Sequence, residues 1–253
     1  MEDVLSRQPT FDDVVATILA RFASALGSEI DGCIQSSLAE ISQFIGVDYA
    51  FVIRVSSDQA TWSATHEWCA PGAQSHLAKY QQVPMGTFRW TERAILAGEI
   101  VRVNSLDDIP PEAADIRRHM ESLGFKSTLQ LPLKGRGRPI NGCIALSSLR
   151  QEMTWTDADV QRLRLVGDSI ANALNRKSLE EQLQASEARY RATFERAPVG
   201  IANVGVDGRI IEANQRLCDM LGFAREELLG RHFSELTHTP TTARTRKLCI
   251  RSC

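Results

Sequence analysis

Residues 156–195 carry an apolar stripe that mixes steps of three and four. It runs through Val160, Leu163, Val166, Ile170 and Leu174, then Leu179, Leu183, Ser186, Tyr190 and Phe194. That period belongs to a helix, and Thr156-Asp157 caps it. One helix over 156–195 divides the chain, because its charged half after Asn175 has no sheet left to cover. The surface positions are full of Glu, Arg, Lys and Gln. This composition and spacing predict a two-stranded coiled coil, hence a homodimer through residues 156–195, the competing reading being a helix packed on its own domain. A length of 253 residues with 43% apolar and 24% charged residues suits one large or two small globular domains.

Upstream, Phe11, Val14, Val15, Ile18, Leu19, Phe22 and Leu26 lie on one stripe and predict a helix over 11–26. Ile34, Leu38, Ile41, Phe44 and Ile45 predict a second over 31–45, ended by Gly46. The period then changes. Residues 49–55 are rich in aromatic and β-branched side chains and read as a strand. Residues 61–68 alternate and read as its partner. A second hairpin joins 127–133 to 140–147 through the turn at 134–139. Between the hairpins lie a short helix (92–97), a strand (100–103) and a helix after Pro110-Pro111 that Gly124 ends. Hairpins imply an antiparallel sheet, and the helices must pack on it.

Composition narrows the function. The net charge of −2 leaves no basic excess for phosphates, which argues against nucleic acid. No apolar run is long enough to cross a bilayer, and the acidic start, Met1-Glu-Asp-Val, is unlike a signal peptide. The expected compartment is the cytoplasm. Six cysteines (Cys33, Cys69, Cys143, Cys218, Cys249 and Cys253) form no C-x-x-C pair and are expected as free thiols. None of the five histidines pairs with another at metal spacing. His76 and His119 read as surface residues. His66-Glu67 sits in a predicted strand without the proline of a kinase phosphoacceptor site. No phosphate-binding loop and no Gly-x-Ser-x-Gly elbow occur. The chain is expected not to be an enzyme.

The element order, the strand after Gly46-Val-Asp, the strand Leu131-Pro-Leu133 and the exit helix beginning Trp155-Thr-Asp157 resemble a GAF domain over about 28–175, with residues 1–27 as a preceding helix. The resemblance implies a pocket between the sheet and the helices above it. GAF domains bind cyclic nucleotides, haem, bilins or nothing, and no cofactor is indicated here. The expected lining is Trp62, His66, Trp68 and Cys69 from the second strand, with Arg89 and Trp90 from the covering stretch. An aromatic wall with one arginine suits a planar anionic ligand. The competing reading is that the tryptophans are core and Arg89 is solvated. The asparagine-lysine-phenylalanine-aspartate signature of cyclic-nucleotide GAF domains is missing. Cys69 has the chemistry to hold a bilin, but nothing beside it marks that role, and a structural thiol explains it as well.

Further on, Tyr190-Arg-Ala-Thr-Phe194, Val206-Asp-Gly208-Arg, Asn214, Met220-Leu-Gly222-Phe and Glu227-Leu-Leu-Gly230 resemble the start of a PAS sensor domain, over about 190–238. Strands are expected at 200–206 and 209–212, turning at Asp207-Gly208. Asn214 caps the next helix, whose core stripe is Leu217, Met220, Leu221 and Phe223. Gly230-Arg-His232-Phe233-Ser lacks the reactive cysteine of flavin-binding relatives. The segment 239–253 shows no apolar period and reads as irregular. Read one base early, within codon degeneracy, it can spell the family's usual continuation. A frameshift near codon 238 that truncates a longer protein is therefore expected.

The fold class is thus α+β: a GAF-like antiparallel sheet flanked by helices, a long coiled-coil linker helix and an incomplete PAS-like segment. The function these imply is sensory input to an output domain outside this chain, of the diguanylate cyclase, phosphodiesterase or histidine kinase class. The rival is a GAF adaptor that dimerises without a ligand.

Overall fold

The computed structural model describes residues 9–135, 139–237 and 249–252. The chain divides into two compact units, Met1–Leu179 and Glu180–Cys253.

In the first unit, helix α1 (Phe11–Ser24) opens on a capping box in which the Asp13 amide donates to Thr10 Oγ1 and the Thr10 amide donates to the Asp13 carboxylate. Helix α2 (Ile30–Ile45) ends at Gly46, whose φ of 82° is left-handed. Strands β1 (Tyr49–Val55) and β2 (Thr61–Cys69) follow as a hairpin, then the short β3 (Val83–Pro84), α3 (Arg89–Ala97) and β4 (Val101–Val103). Pro111 opens a 3₁₀ turn, Pro111–Ala113, ahead of α4 (Ala114–Leu123). Strands β5 (Ser127–Pro132) and β6 (Gly142–Ser148) precede α5 (Asp157–Arg196). Residues 136–138 of the expected β5–β6 turn lie outside the described residues. The sheet order is β3-β2-β1-β6-β5-β4, antiparallel throughout.

Both faces of this sheet are covered. Ala50 and Val52 of β1, Leu129 and Leu131 of β5, and Ile144 and Leu146 of β6 pack under α1, α2 and α5. Their partners there include Ile18, Ile34, Leu38, Leu163, Val166 and Ile170. The alternate residues, Tyr49, Phe51, Cys143 and Ala145, pack on the other face with Ile95, Ile116 and Met120. The period of two sends each strand's side chains to two separate cores.

Three side chains fasten α5 to the first two helices. Arg162 pairs with Asp12 at 2.6 Å, Arg176 Nη2 donates to the carbonyls of Phe22 and Ala25 at the end of α1, and Lys177 pairs with Asp31. Beyond them burial stops, with Leu179 50% and Leu183 61% exposed. Two residues of the expected stripes also leave the core. Leu26 is exposed because α1 ends at Ser24 and Ala25 is extended. Phe44 stays largely exposed and stacks on Phe11 at 5.0 Å.

In the second unit, β7 (Ile201–Val204) and β8 (Ile210–Ala213) pair antiparallel across Asp207-Gly208. Helices α6 (Gln215–Leu221), α7 (Arg225–Leu228) and α8 (Phe233–Thr237) follow. Strand β9 (Cys249–Ser252) pairs parallel to β7, giving the order β8-β7-β9. A strand therefore occupies part of the tail read as irregular, while 238–248 lie outside the described residues. Fully buried Asn214 binds this unit together. Its Oδ1 accepts from the amides of Ile201 and Leu217, and its Nδ2 donates to the carbonyls of Phe194 and Val199. The cap sets the phase of α6, so Cys218 rather than Met220 joins Leu217 in the core.

Gly142 sits where β6 meets β1, and a Cβ there would fall 2.0 Å from the Ile53 carbonyl oxygen. Gly142→Ala is expected to lower unfolding stability by about 3 kcal/mol, measured by urea denaturation against the wild type.

Candidate functional site

A cavity of about 100 Å³ lies on the sheet face away from α1, α2 and α5. Its floor is Phe51 and Ile53 of β1 with Cys143, Ala145 and Ser147 of β6, and Trp62 of β2 closes one side. Tyr80, Met85, Phe88, Thr91 and Ile95 cover it, and α4 adds Ile116, His119 and Met120. The aromatic rings interlock. Phe51 meets Tyr80 edge-on at 5.4 Å, Tyr80 lies 5.8 Å from Trp62, and Phe88 lies 4.6 Å from His119. Deeper in the same cluster, His76 stacks on Tyr49 at 5.0 Å.

The polar atoms of the wall are mostly paired. Trp62 Nε1 donates to Glu92 Oε1 at 3.2 Å, and Glu92 also accepts the amides of Gly86 and Phe88, which holds the covering loop to α3. Tyr80 Oη lies 2.8 Å from His119 Nε2. Thr128 Oγ1 donates to the Leu146 carbonyl and lies 3.0 Å from Ser147 Oγ. Burial sets the protonation states. It lowers the His119 and His76 pKa values, helped by the charge of Lys79, and both rings are neutral near pH 7. It raises Tyr80, and it pushes the Cys143 thiol up to about 12, so that thiol is not a nucleophile.

The expected site residues separate. Trp62 lines the cavity. His66 and Trp68 do not, because β2 slips register opposite Val52/Ile53: Val52 pairs with His66, but Ile53 pairs with Ala64. The extra residue, Thr65, reverses the faces. Trp62 and Ala64 therefore face the cavity side, while Trp68 packs in the opposite core. His66 Nε2 lies 3.5 Å from Asp31 of α2. Cys69 returns to the cavity side, where its thiol donates to the Ala73 carbonyl and burial raises its pKa. Arg89 is exposed as the first residue of α3, and only its backbone amide is engaged, with Asp115. Trp90 packs half-buried beside the cluster without lining the cavity. The arginine expected to hold an anionic ligand is thus outside, and no lysine or arginine lines the cavity among the described residues.

His119, Tyr80 and Phe88 were not anticipated. His119 and Met120 follow Ile116 by three and four residues on one helical face, and that stripe was the available signal. Among the described residues no group of three His, Cys, Asp or Glu side chains can hold a metal, and no helix is long and apolar enough to cross a membrane.

Comparison with known proteins agrees with this architecture. The GAF domain model matches residues 29–174 and the PAS fold model matches residues 188–252. The chain belongs to the GAF domain family. The fold is similar to that of the phycoerythrobilin-bound GAF domain from a cyanobacterial phytochrome, with a TM-score of 0.57 and 15% identity over 69% of this chain and 98% of that one. It is also similar to a bacteriophytochrome from the photosynthetic bacterium R. palustris, with a TM-score of 0.56 and 16% identity over 75% of this chain and 43% of that one. Two curated relatives match short stretches. One is the probable diguanylate cyclase DgcE of Escherichia coli (37% identical over 57 residues, 22% of this chain). The other is the C4-dicarboxylate transport sensor protein DctS of Rhodobacter capsulatus (40% over 60 residues, 24% of this chain). The chain spans 5% and 9% of their lengths.

The buried neutral histidines make stability depend on pH. A histidine whose folded pKa is lowered binds protons more readily when unfolded, so acid favours the unfolded chain. The loss begins as pH falls through the unfolded value of about 6.5 and continues down to the lowered folded value. His119→Gln does not titrate in this range. Its stability is expected to fall less steeply than the wild type's between pH 7 and pH 5, read from urea midpoints across that range.

Proposed function

We propose that this chain is a sensory input module in which a small molecule occupies the GAF cavity and the sheet relays occupancy to α5. The observation that carries the reading is the two-sidedness of β2. Trp62 and Ala64 face the cavity side, while His66, on the other face, reaches Asp31, and Asp31 pairs with Lys177 of α5. A shift of β2 that accommodates a ligand would move the anchor of the helix two residues before its burial ends. A ligand acts on such an equilibrium only through its different affinity for the two arrangements. Arg89 has no part in this site.

The helix itself suits a dimer. Leu179, Leu183, Ser186 and Tyr190 follow steps of four, three and four, and all are exposed. Two copies that bury this seam give a coiled coil whose register carries the signal. The names of the relatives, a probable diguanylate cyclase and a transport sensor protein, favour a signalling output in the parent protein, which this chain would serve as input. A bilin is disfavoured here. The cavity of about 100 Å³ is well below the roughly 300–1,000 Å³ of pockets for drug-sized ligands, and the Cys69 thiol is held protonated. The same small volume favours, as a second reading, an adaptor in which the GAF domain dimerises without a ligand.

Light scattering should give the mass of a dimer for the wild type. Leu183→Arg should give a monomer with unchanged circular dichroism, because a charge in the seam is costly and the side chain is already exposed in a single copy. A monomeric wild type at micromolar concentration would contradict the seam.

A further inference from the structure

The hydrogen-bond bookkeeping of the cavity wall points to the class of its ligand: a small neutral aromatic molecule that donates one hydrogen bond, with the chemistry of a phenol. This inference rests on the sensory reading of the same cavity. The wall's hydrogens can be followed one by one. Trp62 Nε1–H is committed to Glu92, Thr91 Oγ1–H to the Phe88 carbonyl, and Thr128 Oγ1–H to the Leu146 carbonyl. With the Thr128 hydrogen engaged, Ser147 must be the donor of the bond they share. Between Tyr80 and His119 a phenol is the better donor and a neutral imidazole the better acceptor, so the Tyr80 hydrogen lies on His119 Nε2. What remains are lone pairs on Tyr80 Oη and Ser147 Oγ and one N–H, on His119 Nδ1, because a neutral ring that accepts at Nε2 carries its proton there. Half-exposed Gln130 carries an amide that serves either role.

A cation-free wall selects against anions. A carboxylate or phosphate would lose its water and meet no positive charge, with only the neutral N–H groups of His119 and Gln130 to replace its hydration. The Glu92 carboxylate, already holding three N–H groups, would repel it. A ligand O–H or N–H, in contrast, finds the Tyr80 oxygen. The rest of the ligand must be apolar and flat, because the wall is largely apolar and carries the rings of Phe51, Trp62 and Phe88 with Ile95 beside them. Size sets the upper bound. A dry apolar cavity of about 150 Å³ takes up benzene, so a site of about 100 Å³ admits a single ring only as the flexible side chains of Met85 and Met120 yield to it.

Titration calorimetry of the full chain with phenol, toluene and benzoate tests this assignment. Toluene has the shape of phenol without the hydroxyl, and benzoate adds the charge. Phenol should bind about tenfold more tightly than toluene, and benzoate should show no binding. In Tyr80→Phe the advantage of phenol over toluene should vanish while toluene binding persists. If that variant does not fold, the ratio in the wild type decides. Ala145→Leu, which fills the floor of the cavity, should abolish phenol binding. The assignment is overturned if phenol does not bind at millimolar concentration, if benzoate binds as tightly, if the ratio survives in Tyr80→Phe, or if phenol still binds to Ala145→Leu. None of these outcomes touches the relay. That reading stands or falls on whether α5 responds when the cavity is filled, by a ligand or by the leucine itself.

Discussion

The structure depends on a sheet that is covered on both faces. Strands β1, β6 and β5 place alternate side chains in two cores, so the backbone between them is a thin shared wall. On one side of the wall lie the helices that carry the chain onward. On the other lies a cavity. Close-packed interiors transmit displacement poorly as a continuum but well as a shift between two packings. A sheet wedged between two cores is an element on which both sides can act.

Within that wall, β2 has the special position. A bulge at Thr65 turns its first half to the cavity side and its later residues, His66 and Trp68, toward the helix layer. Without the extra residue His66 would point where Trp62 and Ala64 point, and the contact with Asp31 would not exist. The bulge therefore joins a cavity wall to a helix anchor within one strand. Arg176 and Lys177 complete the fastening, one on the carbonyls that end α1 and the other on Asp31. From Leu179 onward the helix is released from that core.

Much of this was legible in the amino-acid order. Strand β1 occupies the residues that its β-branched and aromatic run marked, and α5 covers the length that its stripe predicted, because both signals are local and strong. The cap at Asn214 was readable for the same reason. The failures were non-local. Nothing in Thr61–Cys69 announces a bulge, so a strict period of two assigned His66 and Trp68 to the wrong face. Arg89 looked like a ligand for an anion until the start of α3 turned it outward. His119 reads as a surface residue in sequence, whereas α4 brings it against Tyr80, 39 positions away in sequence. Strand β9 was missed because Cys249–Ser252 has no apolar alternation, and only its pairing with β7 defines it.

The central claim is that the cavity and the anchor of α5 are two faces of one element. Hydrogen exchange along α5, compared between the wild type and Ala145→Leu, tests it most directly. Ala145 faces the cavity, on the side of the sheet away from the α5 core, so the added side chain is directed into the cavity. If the account is right, exchange protection changes at 172–180 around Arg176 and Lys177, across the sheet from the substitution. A change confined to α3, α4 and the loop that carries Tyr80, with α5 unaltered, would contradict it.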